Sequence, residues 1–300
     1  MSRITEKPAV APLNPWTNIS TGNSNQAYGS SPANGAAATS GTGFNDSSFS
    51  TYVGQKFDTS DGRTLVMVAN GGVALPAGNL IQSAAQVTAH QKLAMTVPTA
   101  YPATAGLYQI LVTNGSTVLS ANQYQAGFAV ISAGTGIGQT LKIASHAPAA
   151  NAGTFVVNLE DPIQTTLDAT SKVSMLYNPY GGGSASAAGA VSTGVVYSPT
   201  TQTAGIVGAS LYGIAASTAP TYNSTTGKLA TPGVIQYGLI VCSGPASCLV
   251  DTVTLVGNPV GHSTAVSGAI AAATLTASAQ VGFALQTLTS AESGLIYLQL

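Results

Sequence analysis

Three histidines, nine acidic residues and two cysteines are the reactive inventory of this 300-residue chain, and their spacing spells no mechanism. His90, His146 and His262 stand far apart, with no second ligand at HxH or HxxxH spacing, so a metal site is not expected. Each reads as a surface or turn histidine. Glu160-Asp161 is the one adjacent carboxylate pair. Neighbours in a strand point to opposite faces, which makes them a poor acid–base couple. With Pro162 behind them, they read as a solvated or capping strand end. The run Gly134-Thr135-Gly136-Ile137-Gly138 suggests a phosphate cradle, but Gln139 stands where the third glycine of GxGxxG belongs. The following QTLKIAS reads as strand, so no helix N-terminus is offered to an anion. No GxSxG elbow occurs, and Ser243 in CSGPAS reads as a turn residue. Asp58, Asp61 and Arg63 in FDTSDGRT form a polar turn, with Asp61-Gly62 at the position needing positive φ. No catalytic residue, cofactor site or metal site is expected.

Cys242 and Cys248 flank five residues in LIVCSGPASCLV. If those residues close a hairpin, the sulfurs could face each other and a disulfide is conceivable. The plainer reading is two half-buried thiols in strands, which synthesis in a cytoplasm favours.

The elements that must position these residues are β-strands. β-type runs at 127–131, 139–145, 154–159 and 172–177, separated by Gly-, Ala- and Pro-containing turns, have the pattern of a compact antiparallel unit. Residues 62–82 read as turn, strand, Asn-Gly turn and strand, and Asn114-Gly115 is a second hairpin signal between 108–112 and 117–119. SAAQVTAHQKLAMTV fits either a short helical turn or an extended loop. β-type runs resume at 234–242, 248–256, 280–288 and 294–300, where LIYLQL alternates. Residues 265–284 are rich in alanine, but recurring Val, Thr, Ile and Gly favour extended structure. No repeat period emerges, which argues against a propeller or solenoid. The expectation is an all-β chain with an antiparallel β-barrel or sandwich-like domain and an extended N-terminal arm. It divides into an arm (1–50), a β domain (51–180), a linker and loop-rich β segment (181–233), and C-terminal strands (234–300) that complete the sheet or form a second small domain.

Composition narrows the function. Charged residues are 6% of the chain, against roughly 25% on average, and the net charge is −1. Eight scattered cations cannot neutralise a phosphate track, so nucleic-acid binding is not expected. Mean hydropathy is +0.29, yet no apolar run approaches the length of a membrane helix. The first residues show no signal-peptide core, so synthesis in a cytoplasm is expected. A surface of Ser, Thr, Asn, Gln, Gly and Ala suits a protein covered by partners. In the arm, Pro8, Pro12 and Pro15 break any helix, and the polar run behind them is expected to be flexible by itself. Trp16, the only tryptophan, reads either as an anchor against this subunit or a neighbour, or as a ring folded onto its own domain.

Five segments together resemble the head decoration, or capsid cement, proteins of tailed bacteriophages: residues 62–82 (GRTLVMVANGGVALPAGNLIQ), 121–146 (ANQYQAGFAVISAGTGIGQTLKIASH), 159–179 (LEDPIQTTLDATSKVSMLYNP), 238–251 (GLIVCSGPASCLVD) and 282–300 (GFALQTLTSAESGLIYLQL). Their order and spacing fit, they cover about a third of the chain, and each is a strand-turn signature. The two cysteines, the 218–232 loop and the long arm depart from the family pattern. The resemblance implies a β-rich virion protein on the outer surface of the capsid, made in the host cytoplasm. Its partner would be the major capsid protein, and it would form a homotrimer over local three-fold positions or bridge adjoining capsomers. With it come the candidate contact residues Pro12, Pro15, Trp16, Tyr28 and Phe44 of the arm. Two other readings compete. A tail-fibre or adhesin-like protein binding a host glycan would share the low charge but often shows repeats. A polysaccharide-degrading enzyme would need a groove of carboxylates or aromatics.

Overall fold

The computed structural model describes residues 52–91, 95–101, 103–181, 194–201, 204–218, 221–222, 229–231, 234–273 and 280–300. Among the described residues the regular structure is strand apart from short 3-10 turns. In chain order the strands are β1 (Lys56–Asp58), β2 (Thr64–Ala69), β3 (Leu80–Gln82), β4 (Met95–Thr96), β5 (Gln109–Thr113) and β6 (Phe128–Ala133). Then follow β7 (Thr140–His146), β8 (Thr154–Leu159), β9 (Lys172–Leu176), β10 (Val196–Tyr197), β11 (Ile206–Ser210) and β12 (Thr221–Tyr222). The last six are β13 (Leu229–Thr231), β14 (Tyr237–Leu249), β15 (Pro259–His262), β16 (Ile270–Ala272), β17 (Gln280–Ala284) and β18 (Ser293–Gln299). A 3-10 turn at Thr88–His90 falls within the stretch the sequence left open.

β4 to β9 close into a six-stranded antiparallel barrel in the order β4-β5-β8-β7-β6-β9. Alternation builds it. In β5 and β8, Ile110, Val112, Phe155, Val157 and Leu159 point inward while their neighbours face out, the two-residue period of a sheet with one wet face. Ten of the other strands form an antiparallel sheet with order β10-β3-β11-β14-β18-β17-β15-β16, to which β2 adds beside β14 and β1 beside β2, while β12 and β13 pair with each other alone. Strands from before and after residue 180 share this sheet, so the expected boundary there is not where the two sheets part.

Within the large sheet β2 is buried on both faces. Leu65, Met67 and Ala69 enter the main core, whereas Val66 and Val68 enter a smaller one on the other side. Such a strand reads as an unbroken apolar run, TLVMVA. The alternation of β14 shifts by one residue part-way. Leu239 and Val241 point into the main core, but so do Ala246, Cys248 and Val250, which requires one extra residue between them. The register shift against β2 falls between Val241 and Ser243, and Gly244 follows at φ +97°. This bulge keeps a 13-residue strand facing one core along its length.

Both expected Asn-Gly hairpins are corrected. β2 pairs with β1 and β14, and β3 with β10 and β11. Asn70 Nδ2 instead ties down Val73 O (2.9 Å) and Ala215 O (2.7 Å), and Asn114 Nδ2 donates to Thr117 O and Ala150 O. Each asparagine is used for its amide, which staples loops together. Of residues 265–284, the described parts hold β16 and β17, as the extended reading expects.

A local unit recurs that no sequence period reveals. Leu75, Ala103, Leu119, Ala149, Leu167, Thr254 and Leu288 each make an isolated bridge outside the strands. Three residues on, Gly78, Gly106, Asn122, Ala152, Gly257 and Ala291 take positive φ, Thr170 being the exception. In five units a strand starts two residues later, at Leu80, Thr154, Lys172, Pro259 and Ser293. The units bridge one another in pairs, Ala103 with Leu167, Leu119 with Ala149, and Thr254 with Leu288.

Candidate functional site

An open apolar surface lies on the outer face of the large sheet. Pro259, Phe283, Tyr297 and Pro245 stand opposite one another across β15, β17, β18 and β14, so their side chains share one face. Phe283 and Tyr297 stack at 6.2 Å. One row along, Leu285 N–H donates to Leu295 O at 3.0 Å, and Leu295 pairs with Ser247. Leu285, Leu295 and Tyr297 are 43%, 42% and 38% exposed. The inward-facing partners of these strands, Ile296, Leu298 and Ala284, fill the main core. The smaller core covers the same outer side at β2, β11 and the first half of β14, and among the described residues nothing packs over the β17–β18 part. Beside it the loop before β15 exposes Val253, Leu255 and Val256, held by the Thr254–Leu288 bridge and by Gly257 N–H donating to Ala284 O. No charged side chain belongs to these rows.

A cleft of about 430 Å³ opens next to this face, between Ala77-Gly78, Ser247, Ser293 and Leu295, with Asp61 and Arg63 at its rim. Arg63 donates to Asp61 through Nε (2.8 Å) and Nη2 (2.6 Å), and Thr59 Oγ1 also donates to that carboxylate. The guanidinium, then the hydroxyl, hold the Asp61 carboxyl well below the usual carboxylate range. The tip of the β1–β2 hairpin is thereby fixed, as the polar turn read from FDTSDGRT requires, with Gly62 at φ +81°.

The third site is inside the barrel. Tyr124 is fully buried, and two histidines reach it. His90 Nδ1 lies 2.8 Å from the Tyr124 hydroxyl, and its Nε2 lies 3.1 Å from Thr117 O. A carbonyl can only accept, so Nε2 carries the proton and Nδ1 accepts from the phenol. His146 Nδ1 donates to Ala147 O (3.0 Å), leaving Nε2 to accept the Tyr124 backbone N–H (2.9 Å). Tyr177 stacks on Tyr124 at 4.5 Å, and Phe155 packs edge-on to His146. Burial pushes both histidines below their ordinary value of 6.5 and lifts the Tyr124 phenol far above its usual range. His90 does lie in a turn, as expected, but it is buried, and His146 is a buried strand residue, which corrects the expectation of a surface or turn position for it. His262 is buried too, in β15. Sequence spacing missed the cluster because 34 and 22 residues separate the partners, and only barrel closure brings them together.

The cysteines and the glycine run resolve plainly. Cys242 and Cys248 occupy one continuous strand, which corrects both the hairpin and the placing of Ser243 in a turn. Six residues of strand span about 20 Å, and the bulge sends Cys242 to the smaller core and Cys248 to the main one. No disulfide can join them across that distance. Burial raises both thiols, Cys248 to about 12. Gly134, Gly136 and Gly138, all at positive φ, turn the chain from β6 into β7 as expected. Beyond that turn, Thr170 and then Thr135 donate to Asp168 and lower its carboxyl. Glu160 pairs with Lys142 at 2.7 Å on the barrel exterior, and Asp161 accepts the Lys142 N–H; this is the strand-end role expected of them. Pro12, Pro15, Trp16, Tyr28 and Phe44 lie outside the described residues.

No family model matches the chain, and no curated protein or solved structure matches it either. Among the described residues no group of three or more His, Cys, Asp or Glu is placed to hold a metal ion, and no helix is long and apolar enough to cross a membrane.

Proposed function

We propose that this protein is a non-enzymatic structural component of a bacteriophage virion, binding the outside of the capsid and bridging neighbouring subunits of the major capsid protein. The observation that carries the reading is the bare, uncharged outer face built on Phe283, Leu285, Leu295 and Tyr297. Such a face gains from contact with a matching surface, and no charged side chain stands in its own rows to be desolvated. Its size sets the stoichiometry. Fully burying a large apolar side chain yields about 1.5–3 kcal/mol, and these four are partly buried already. Association itself costs roughly 4–15 kcal/mol, so one copy of the face holds weakly. A homotrimer engaging three equivalent sites turns later contacts into intramolecular ones and multiplies retention. Residues 1–50, with Trp16, Tyr28 and Phe44, would add contact area on a neighbour. Cryo-electron microscopy of intact particles tests the reading: density for this chain is expected on the head exterior, and density confined to the tail would sink it.

The cleft beside Asp61–Arg63 favours a second reading, a glycan-binding virion protein, because serine hydroxyls next to an apolar wall suit a neutral sugar. Binding on a glycan array together with tail density would select it.

A further inference from the structure

We propose that the barrel carries an acid-released lock, in which two neutral histidines hold Tyr124, one by its hydroxyl and one by its backbone amide, and their protonation unfastens this end of the barrel while the large sheet stays folded. The geometry assigns the lock to the end where β7 and β9 finish and β6 and β8 begin. His90 comes from the turn before β4, Tyr124 from the loop before β6, His146 from the end of β7, and Tyr177 follows β9. These four residues thus tie four of the six barrel strands together.

Both histidines are committed to the neutral form by their partners. His146 Nε2 faces a backbone N–H at 2.9 Å; a proton there puts donor against donor and leaves the Tyr124 amide without an acceptor. His90 Nδ1 faces a hydroxyl that donates to it; a proton there forces the phenol to turn and seek another acceptor inside a packed core. Little nearby compensates the new charges. The titratable groups facing the pair from the packed elements are Tyr124, Tyr177 and each histidine for the other. Tyr177 already accepts from Gln123 Nε2 at 2.7 Å, and β8 contributes only the ring of Phe155. Of the described ion pairs, Lys142–Glu160 lies on the barrel exterior and Asp61–Arg63 at the large sheet.

The direction of the pH effect follows from which state binds protons. An unfolded histidine titrates near 6.5, whereas burial keeps both folded rings neutral below that value. Above pH 6.5 the lock contributes fully. As pH falls below 6.5 the unlocked state takes up protons that the locked state refuses, and stability is lost until the folded rings titrate. With two such protons the opening equilibrium rises by up to about 100-fold per pH unit.

Amide hydrogen exchange on the full chain between pH 7.5 and 5.0, normalised for intrinsic rates, reads the two sheets separately. Protection of β5 to β8 is expected to fall by up to about 100-fold per unit below pH 6.5, while β14 and β18 hold. Equal loss in both sheets, or loss in neither, overturns the lock. His146→Gln keeps an acceptor toward the Tyr124 amide and should reduce the slope to about tenfold per unit; an unchanged slope counts against the assignment. Should that variant not fold, a ¹⁵N titration of the wild-type imidazoles decides: both rings are expected to keep the neutral signature below pH 6 while native barrel signals persist. A ring titrating near 6.5 in an intact barrel overturns it.

Discussion

At the scale of single residues, Tyr124 does the most with one side chain. Its ring stacks on Tyr177, its hydroxyl serves His90 and its amide serves His146. Tyr124→Phe keeps the packing but strips His90 Nδ1 of its donor inside the core. The expected cost is about 1–3 kcal/mol, read as an earlier chemical-denaturation midpoint. The cysteines make a sharper test because their outcome is binary. Cys242 Sγ donates to Thr64 O at 3.3 Å and Cys248 is wholly buried. Both thiols should resist a thiol reagent in the native protein and react after unfolding, with no disulfide formed under oxidising conditions. One equivalent reacting quickly in the native state would contradict the placement of β14.

At the scale of elements, the recurring bridge-turn-strand unit determines where strands begin. Its third step needs the left-handed region, which costs an ordinary residue roughly 1–2 kcal/mol. Gly78, Gly106 and Gly257 fill it without strain, but Ala152 and Ala291 sit there at φ 55° and 63°. Ala152→Gly and Ala291→Gly should each stabilise the fold by roughly 0.5–1 kcal/mol, after allowing for the extra freedom of the unfolded glycine. Gly244 predicts the reverse. A Cβ there would lie 2.5 Å from Gly62 O, at φ +97°. Gly244→Ala should cost at least about 1–3 kcal/mol, with the loss read in exchange protection of the second half of β14. Thermal unfolding of the three variants checks both signs.

At the scale of the whole molecule, the barrel core and the two cores of the large sheet leave a sheet face that packs against none of them among the described residues. A surface this poor in charge is costly to leave wet only where large apolar side chains stand together, and the β17–β18 face is such a place. Leu295→Lys with Tyr297→Lys places two charges there without touching Ile296 or Leu298 behind them. Monomer stability should change by less than about 0.5 kcal/mol, as for other surface substitutions. Retention on particles, measured by sedimentation of heads with bound protein, should fall at least tenfold. Retention unchanged beside unchanged stability would remove this face from the interface.

Much of the β-structure was legible in the chain. The runs at 127–131, 139–145, 154–159 and 172–177 coincide with β6 to β9 within a residue or two, because alternation and turn residues are local and act wherever the strand finally pairs. The glycine turn at 134–138 and the carboxylates at 160–161 were readable for the same reason. Pairing was not legible. Asn70-Gly71 and Asn114-Gly115 advertise hairpins, yet the strands beside them find partners more than a hundred and some forty residues away. The extra residue in β14 looked like a loop between two strands, since a bulge and a turn share the same Gly-Pro chemistry. Antiparallel sheet, low charge and the lack of a local catalytic motif were readable from the residues, since those properties reside in residue types and near neighbours. Which strands close the barrel, that Tyr124 meets two histidines, and which apolar face packs against no core came only with folding, because each depends on contacts between residues far apart in the chain.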